Sequence, residues 1–293
     1  LKLAVTLALL GFAPALWAQE PPATDTNPVK SPGNAVWADS ANAARAAAAS
    51  TGKMVFVEFD GGSSCGHCQR MDYLLYPAFE FEALLIGMVP VKVLLDSPEG
   101  KELARRYGIR AAPAILITSP EGRIVFLMEG FNNAPEFYRT VKTELDRYRQ
   151  FAHRVESQDI PNLPAGEALT TGIELYRRSD PGSALPRLAR AVSAPDASAG
   201  ERDEAREQLA AVQLDLKQVA EARKTTDALL KTTKDPKRRE RAEIFRAQLP
   251  LHEGKPAEAV RQLQKFVADH PKSEYAAAVK SLIEQLTSPP ASS

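Results

Sequence analysis

The chain of 293 residues has two cysteines, Cys65 and Cys68, and they stand three positions apart. That spacing places both sulfurs on the first turn of a helix starting there, within reach of a bond. A structural disulfide framework needs more cysteines, more widely spaced. A four-thiolate zinc site needs more thiols than the chain has. The pair is therefore a redox couple or incidental, and in an exported chain a redox couple is the better reading. Zinc or copper held by the pair and a histidine is a further alternative. With four histidines in all, such a site needs remote ligands. Haem attachment through C-x-x-C-H is excluded, because Gln69 follows Cys68.

The surroundings give the pair its context. Residues 54–59 form a short apolar run with β-branched members, the mark of a buried strand. Residues 60–64 read as a loop. From Cys65 through Met71, Leu74 and Leu75 the spacing is helical, and Pro77 interrupts it. Helices are also predicted at 37–50, 78–85, 99–107 and about 135–151, and strands at 88–95, 114–118 and 123–128. Taking the two helical stretches around Pro77 together, the order is α, β, α, β, α, β, β, α. A parallel βαβ unit followed by a hairpin and a last helix makes an α/β sandwich.

At the N-terminus, Lys2 precedes an apolar run from residue 3 to 15, and small residues at Ala15 and Ala18 follow. Residues 1–18 therefore read as a signal peptide, cleaved after Ala18 or Ala15. The run is shorter than the roughly 20 residues a spanning helix needs. An uncleaved signal is the one membrane attachment the sequence offers. Residues 19–34 carry Pro21, Pro22, Pro28 and Pro32 and read as a flexible linker. Lys plus Arg and Asp plus Glu number 37 each, which gives no reason to expect nucleic acid or an anionic membrane as a partner.

Pro161 and Pro164 mark residues 153–165 as a linker between domains. Beyond it the chain is alanine-rich and charged, and residues 166–288 read as helices. Segments starting at Ala184, Ala222 and Ala259 repeat an alanine pattern closed by a proline, with spacings of 38 and 37 residues. Periods of this size mark stacked helix pairs. The charge runs 201–207 and 234–241 are expected to be solvated helix faces, and His252 and His270 surface residues. Residues 289–293 read as a tail.

Residues 35–152 resemble the thioredoxin superfamily, nearest its exported bacterial members. Val57-Glu58-Phe59, the loop, and then Cys65-Gly66-His67-Cys68 are similar to that family's active-site strand and helix. The CGHC tetrapeptide is the one typical of protein disulfide isomerase. Tyr107 through Ala114 resembles the segment carrying the family's cis-proline, which would be Pro113, against a trans proline as the plain alternative. Pro120-Glu121-Gly122-Arg123 matches the family hairpin and Gly130 the glycine after its last strand. Glu58 matches the buried acid that relays a proton to the second cysteine; an exposed strand-edge glutamate is the other reading. The loop before Cys65 is one residue longer than in thioredoxin, so Asp60 competes for that role. Ser64 stands where thioredoxins carry tryptophan. Gly254-Lys255-Pro256-Ala257-Glu258-Ala259 and Phe266 to Pro271 resemble tetratricopeptide repeats, without the usual tryptophan.

The resemblance implies an α/β thioredoxin-like domain followed by an all-α helical-repeat domain. It implies thiol–disulfide exchange with protein substrates in the bacterial periplasm or another exported compartment, with oxidase or isomerase chemistry favoured by His67. Cys65 is the expected nucleophile and Cys68 the resolving thiol, with Gly66 between them. Ala112 and Pro113 are expected to pair with the substrate strand. No metal and no cofactor beyond the cysteine pair is expected. A redox partner protein and a protein docked on the repeats are. The competing reading is a non-catalytic scaffold or metal chaperone.

Overall fold

The computed structural model describes residues 36–131 and 133–288. The expected signal peptide, the whole Pro-rich linker and the C-terminal tail lie outside those residues.

Four strands form one mixed sheet, β1 (Met54–Asp60), β2 (Met88–Leu94), β3 (Ala114–Thr118) and β4 (Ile124–Glu129), in the order β2-β1-β3-β4. β1 runs parallel to β2 and antiparallel to β3, and β4 closes the hairpin with β3. The alternation of a strand then decides which side chain faces which layer. Val55, Val57 and Phe59 of β1 pack with α1 (Ala41–Thr51) and α4 (Pro98–Tyr107). Phe56 faces the opposite layer, with α2 (Gly66–Leu75), α3 (Phe79–Leu85) and α5 (Ala134–Glu156). Glu58 and Asp60 continue the Phe56 face, so the sequence delivers two carboxylates to the layer that α2 covers.

Local chemistry fixes the ends. Ser40 caps α1, which therefore starts later than the apolar pattern predicts; Trp37 and Ala38 stay extended, and Ala38 bridges Val91. Ser97 caps α4, with Pro98 in its first turn and left-handed Gly108 closing it. Gly100 is required by close approach, since a Cβ there would stand 2.0 Å from the Leu94 carbonyl oxygen.

The expected linker at 153–165 is corrected. α5 continues to Glu156, a 3₁₀ turn spans Ile160–Asn162, and Val155 and Leu163 are buried. Pro161 sits inside that turn, so the proline breaks the helix without freeing the chain. The helices that follow, α6 (Ala165–Arg177), α7 (Pro181–Ser193) and α8 (Ala199–Asp215), share one core with the sheet layer of Phe56 and Phe137. Arginines complete the join. Arg123 pairs with Asp180 at 2.6 Å, Arg178 donates to the Ile124 carbonyl at 2.8 Å, and buried Arg187 donates to the Val155 carbonyl at 2.9 Å. Within the 201–207 charge run, Asp203 is buried rather than solvated and pairs with Arg206 on the same helix.

A second compact unit begins at Lys217. It holds α9 (Val219–Thr232), α10 (Pro236–His252), α11 (Pro256–Asp269) and α12 (Ala276–Thr287), around Ile244, Ala247, Leu263, Phe266 and Val279. His270 is half-buried there, its Nε2 2.8 Å from a Glu243 carboxylate oxygen. Among the described residues, no helix is long and apolar enough to cross a membrane.

Candidate active site

Cys65 and Cys68 are joined by a disulfide with Cα atoms 5.3 Å apart. Cys65 is the N-cap of α2, and its sulfur accepts from the Cys68 backbone N–H at 3.2 Å. A sulfur at this place faces the unpaired N–H groups and the positive end of the helix, which favour negative charge on it. The two sulfurs differ in access. Cys65 is half-buried, whereas Cys68 is 1% exposed and its sulfur accepts from the Gly61 N–H at 3.3 Å. Gly66 and His67 lie exposed on the surface of the same turn.

The Ala112–Pro113 bond is cis. Its loop is tethered from β4 on both sides. Glu129 accepts from the backbone N–H groups of Arg110 at 2.5 Å and Ala111 at 3.3 Å, and the Gly130 N–H donates to the Pro113 carbonyl at 2.8 Å. These bonds, together with the Arg110 guanidinium, hold the Glu129 carboxyl below the usual carboxylate range. Gly61 joins the loop to the cysteines. A Cβ built on it would lie 3.3 Å from the Cys65 sulfur and 3.4 Å from the Ala112 Cβ. Ala112 thus stands beside the cysteine pair, a placement that comes from three separate segments of chain.

Beneath α2 lies a cluster of charge. Glu58 is fully buried in the central strand, not exposed at an edge. The Lys92 ammonium lies 2.9 Å from Glu58, 2.9 Å from Asp60 and 2.7 Å from Asp72. Glu58 and Lys92 are partners in the β1/β2 register, and Asp72 is one helical turn beyond Cys68. Burial, the largest influence, pushes the Glu58 carboxyl up to about 8; Lys92 opposes the rise and Asp72 adds to it. Burial works against the charge on Lys92, but its three carboxylates reverse this and raise its proton affinity. Asp60 links the cluster to the disulfide, since its carboxylate lies within 4.8 Å of both sulfurs and also of Glu58 and Asp72.

Of these residues only Glu58 and Asp60 are expected from the sequence; Lys92, Asp72, Gly61 and Glu129 enter with the structure. Two of these were signalled. Lys92 is the lone charge in the apolar run 88–95, and Asp72, four residues after Cys68, shares its helix face. The cluster does not suit a metal. The Lys92 ammonium already occupies the place a cation would take among the carboxylates, and Asp60 is further engaged by the Gly62 N–H at 2.7 Å.

Residues 41–144 match the family model of a thioredoxin-like domain. A thioredoxin from Thermus thermophilus, known in solution, aligns at 30% identity over 36% of this chain and 82% of its own, with a TM-score of 0.33. A structure titled DsbH oxidoreductase aligns at 21% identity over 44% of this chain and 95% of its own, with a TM-score of 0.35. No curated protein matches the chain. Through residues 41–144 the chain belongs to the thioredoxin-like family, with its cysteine pair at the head of α2 and an all-helical region C-terminal to the sheet.

Proposed function

We propose that the protein is an exported thiol–disulfide oxidoreductase of the oxidising or isomerising kind, acting on protein thiols through Cys65 and Cys68. The observation that carries the reading is the asymmetry of the disulfide. Its reachable sulfur caps a helix beside Ala112–Pro113, and its other sulfur is buried.

In the oxidising direction a substrate thiolate attacks the Cys65 sulfur. A substrate–Cys65 bond forms, the Cys65–Cys68 bond breaks, and its electron pair stays on Cys68 beside the Gly61 N–H. A second substrate thiolate then attacks the substrate sulfur of the mixed disulfide. Cys65 leaves as a thiolate favoured by the helix N-terminus. The substrate gains a disulfide, the cysteine pair is reduced, and a redox partner protein restores it. Run in reverse, Cys65 attacks a substrate disulfide and Cys68 resolves. The substrate strand lies along Ala112. The CGHC sequence supports the oxidising or isomerising assignment. The N-terminal run 1–18 supports export, and the helices after 166 supply a surface for a protein partner. No metal takes part in this scheme.

The test is trapping. In Cys68→Ser, a mixed disulfide formed on Cys65 cannot be resolved from within the chain. Protein adducts of Cys68→Ser, absent from the Cys65→Ser/Cys68→Ser double variant, are expected in periplasmic extracts. Equal recovery of adducts from both variants, or unchanged cellular function in the double variant, contradicts the reading and favours a scaffold.

A further inference from the structure

Glu58 and Asp72 pose a satisfaction problem that Lys92 alone does not solve. Both carboxylate oxygens of Glu58 and Oδ1 of Asp72 are buried without a hydrogen-bond partner among the described residues. The Lys92 ammonium is close to Glu58, but its aligned hydrogen bond goes to Asp72 Oδ2. With Glu58, Asp60 and Asp72 all ionised, three negative charges would share one positive charge in a mostly buried space. Like-charged carboxylates this close do not all ionise. The groups facing the space are Asp60 from β1, Lys92 from β2, and Asp72 and Cys68 from α2; β3 presents apolar Ile115 opposite Glu58. The Tyr76 ring lies 5.7 Å from the ammonium.

We propose that Glu58 and Asp72 share one proton, carried by Glu58 and donated toward Asp72 Oδ1, so that Asp72 is the positioning residue that keeps the site's buried acid protonated while the disulfide is closed. One proton removes one of the three negative charges and supplies a donor where buried acceptors had none. Asp72 keeps its pairing with Lys92 through Oδ2, and Asp60 keeps its own.

The inference rests on the proposed exchange reaction and on the relay that the family resemblance assigns to Glu58, and it adds Asp72 as the group that keeps that acid loaded. When a substrate thiolate opens the disulfide, the electron pair arriving on Cys68 is matched by this proton. It passes by way of Asp60, whose carboxylate lies within 4.8 Å of both the sulfurs and the acid pair. The products are the substrate–Cys65 disulfide, a neutral Cys68 thiol and an ionised Glu58. One negative charge enters as the thiolate and one remains as the carboxylate.

The experiment is a carboxyl carbon-13 NMR titration of the full oxidised chain, with Glu58 identified by its absence in Glu58→Gln. Parent Glu58 is expected to titrate near neutral pH or above. In Asp72→Asn, which keeps the shape but removes the charge, Glu58 should bind its proton about tenfold more weakly or less tightly still. Asp72→Ser serves if the first variant does not fold. A Glu58 midpoint unchanged in either variant, or a parent midpoint in the ordinary carboxylate range, overturns the proposal. Glutathione equilibration of the same samples separates the two claims. A parent without a reversible thiol couple defeats the exchange reading but leaves the titration to decide the shared proton.

Discussion

Glu58 and Lys92 sit opposite each other in the register of the parallel β1/β2 pair, with the ammonium 2.9 Å from the carboxylate. This contact lies under the helix that carries the disulfide. Among the described residues, Lys92 is the one positive charge facing Glu58, Asp60 and Asp72, so the cluster depends on it.

Lys92→Met should therefore destabilise the protein by about 3 kcal/mol near pH 8, the scale expected when a buried charge loses its partner. The loss should shrink toward pH 5, because carboxylates without a counter-charge take up protons and cease to repel. Urea unfolding at both pH values checks this. An equal loss at the two pH values would assign the effect to packing instead of charge.

Glu58 makes stability fall as pH rises. Its carboxyl is raised from 4.5 to about 8 in the folded chain. Between those values the folded state binds the proton more tightly than the unfolded state. Stability then declines through that window and levels off above it, at no more than roughly 1.4 kcal/mol per pH unit for one proton. Glu58→Gln should flatten the profile between pH 5 and 8 in the same urea series. A variant profile parallel to that of the parent would contradict the assignment.

Glu129 holds the loop before Pro113. Glu129→Ala removes a charged acceptor from the Arg110 and Ala111 N–H groups, at an expected cost of about 1.5–3 kcal/mol. The local sign should be faster amide exchange at these two residues. In the parent the carboxyl is held below its ordinary range, so its contribution is present above that range and fades as pH falls through the lowered value. Unchanged exchange at Arg110 and Ala111 would show that the loop does not need this tether.

Two neighbouring glycines should respond differently to alanine. At Gly61 a Cβ would press on Cys65 at 3.1 Å and on its sulfur at 3.3 Å, so Gly61→Ala should slow thiol exchange severalfold while the fold persists. At Gly66 a Cβ meets nothing within 4 Å, and Gly66→Ala should be neutral or stabilise by up to about 1 kcal/mol through helix propensity. Stopped-flow exchange with a small thiol and thermal melts report the two effects. Equal rates for the two variants would mean that the space around Cys65 is not limiting.

Much of the sheet domain was legible because its signals are local. Strand β1 announces itself by β-branched apolar residues, α4 by its helical stretch at 99–107 closed by Gly108, and the cysteine pair by its spacing. The join between α5 and α6 is not, because Pro161 and Pro164 read as the marks of a free linker. Pro161 instead lies within a 3₁₀ turn between buried Val155 and Leu163, and Arg123 acts through the Asp180 carboxylate while Arg178 and Arg187 act through backbone carbonyls far along the chain, which no periodicity records. The charge cluster was half legible. Glu58 comes from the family resemblance, while Lys92 and Asp72 become its partners only when β2 is set in register with β1 and α2 is laid across both. Gly61 and Glu129 belong to contacts between segments distant in sequence, where a residue's type does not reveal what it touches.

The most direct test of the central claim is the reduction potential of Cys65–Cys68, measured by equilibrating the purified chain with glutathione. An oxidising or isomerising role predicts a reversible couple near or above about −200 mV. A potential near about −270 mV or lower would make the chain a reductant, and the absence of any reversible couple would contradict thiol–disulfide exchange altogether.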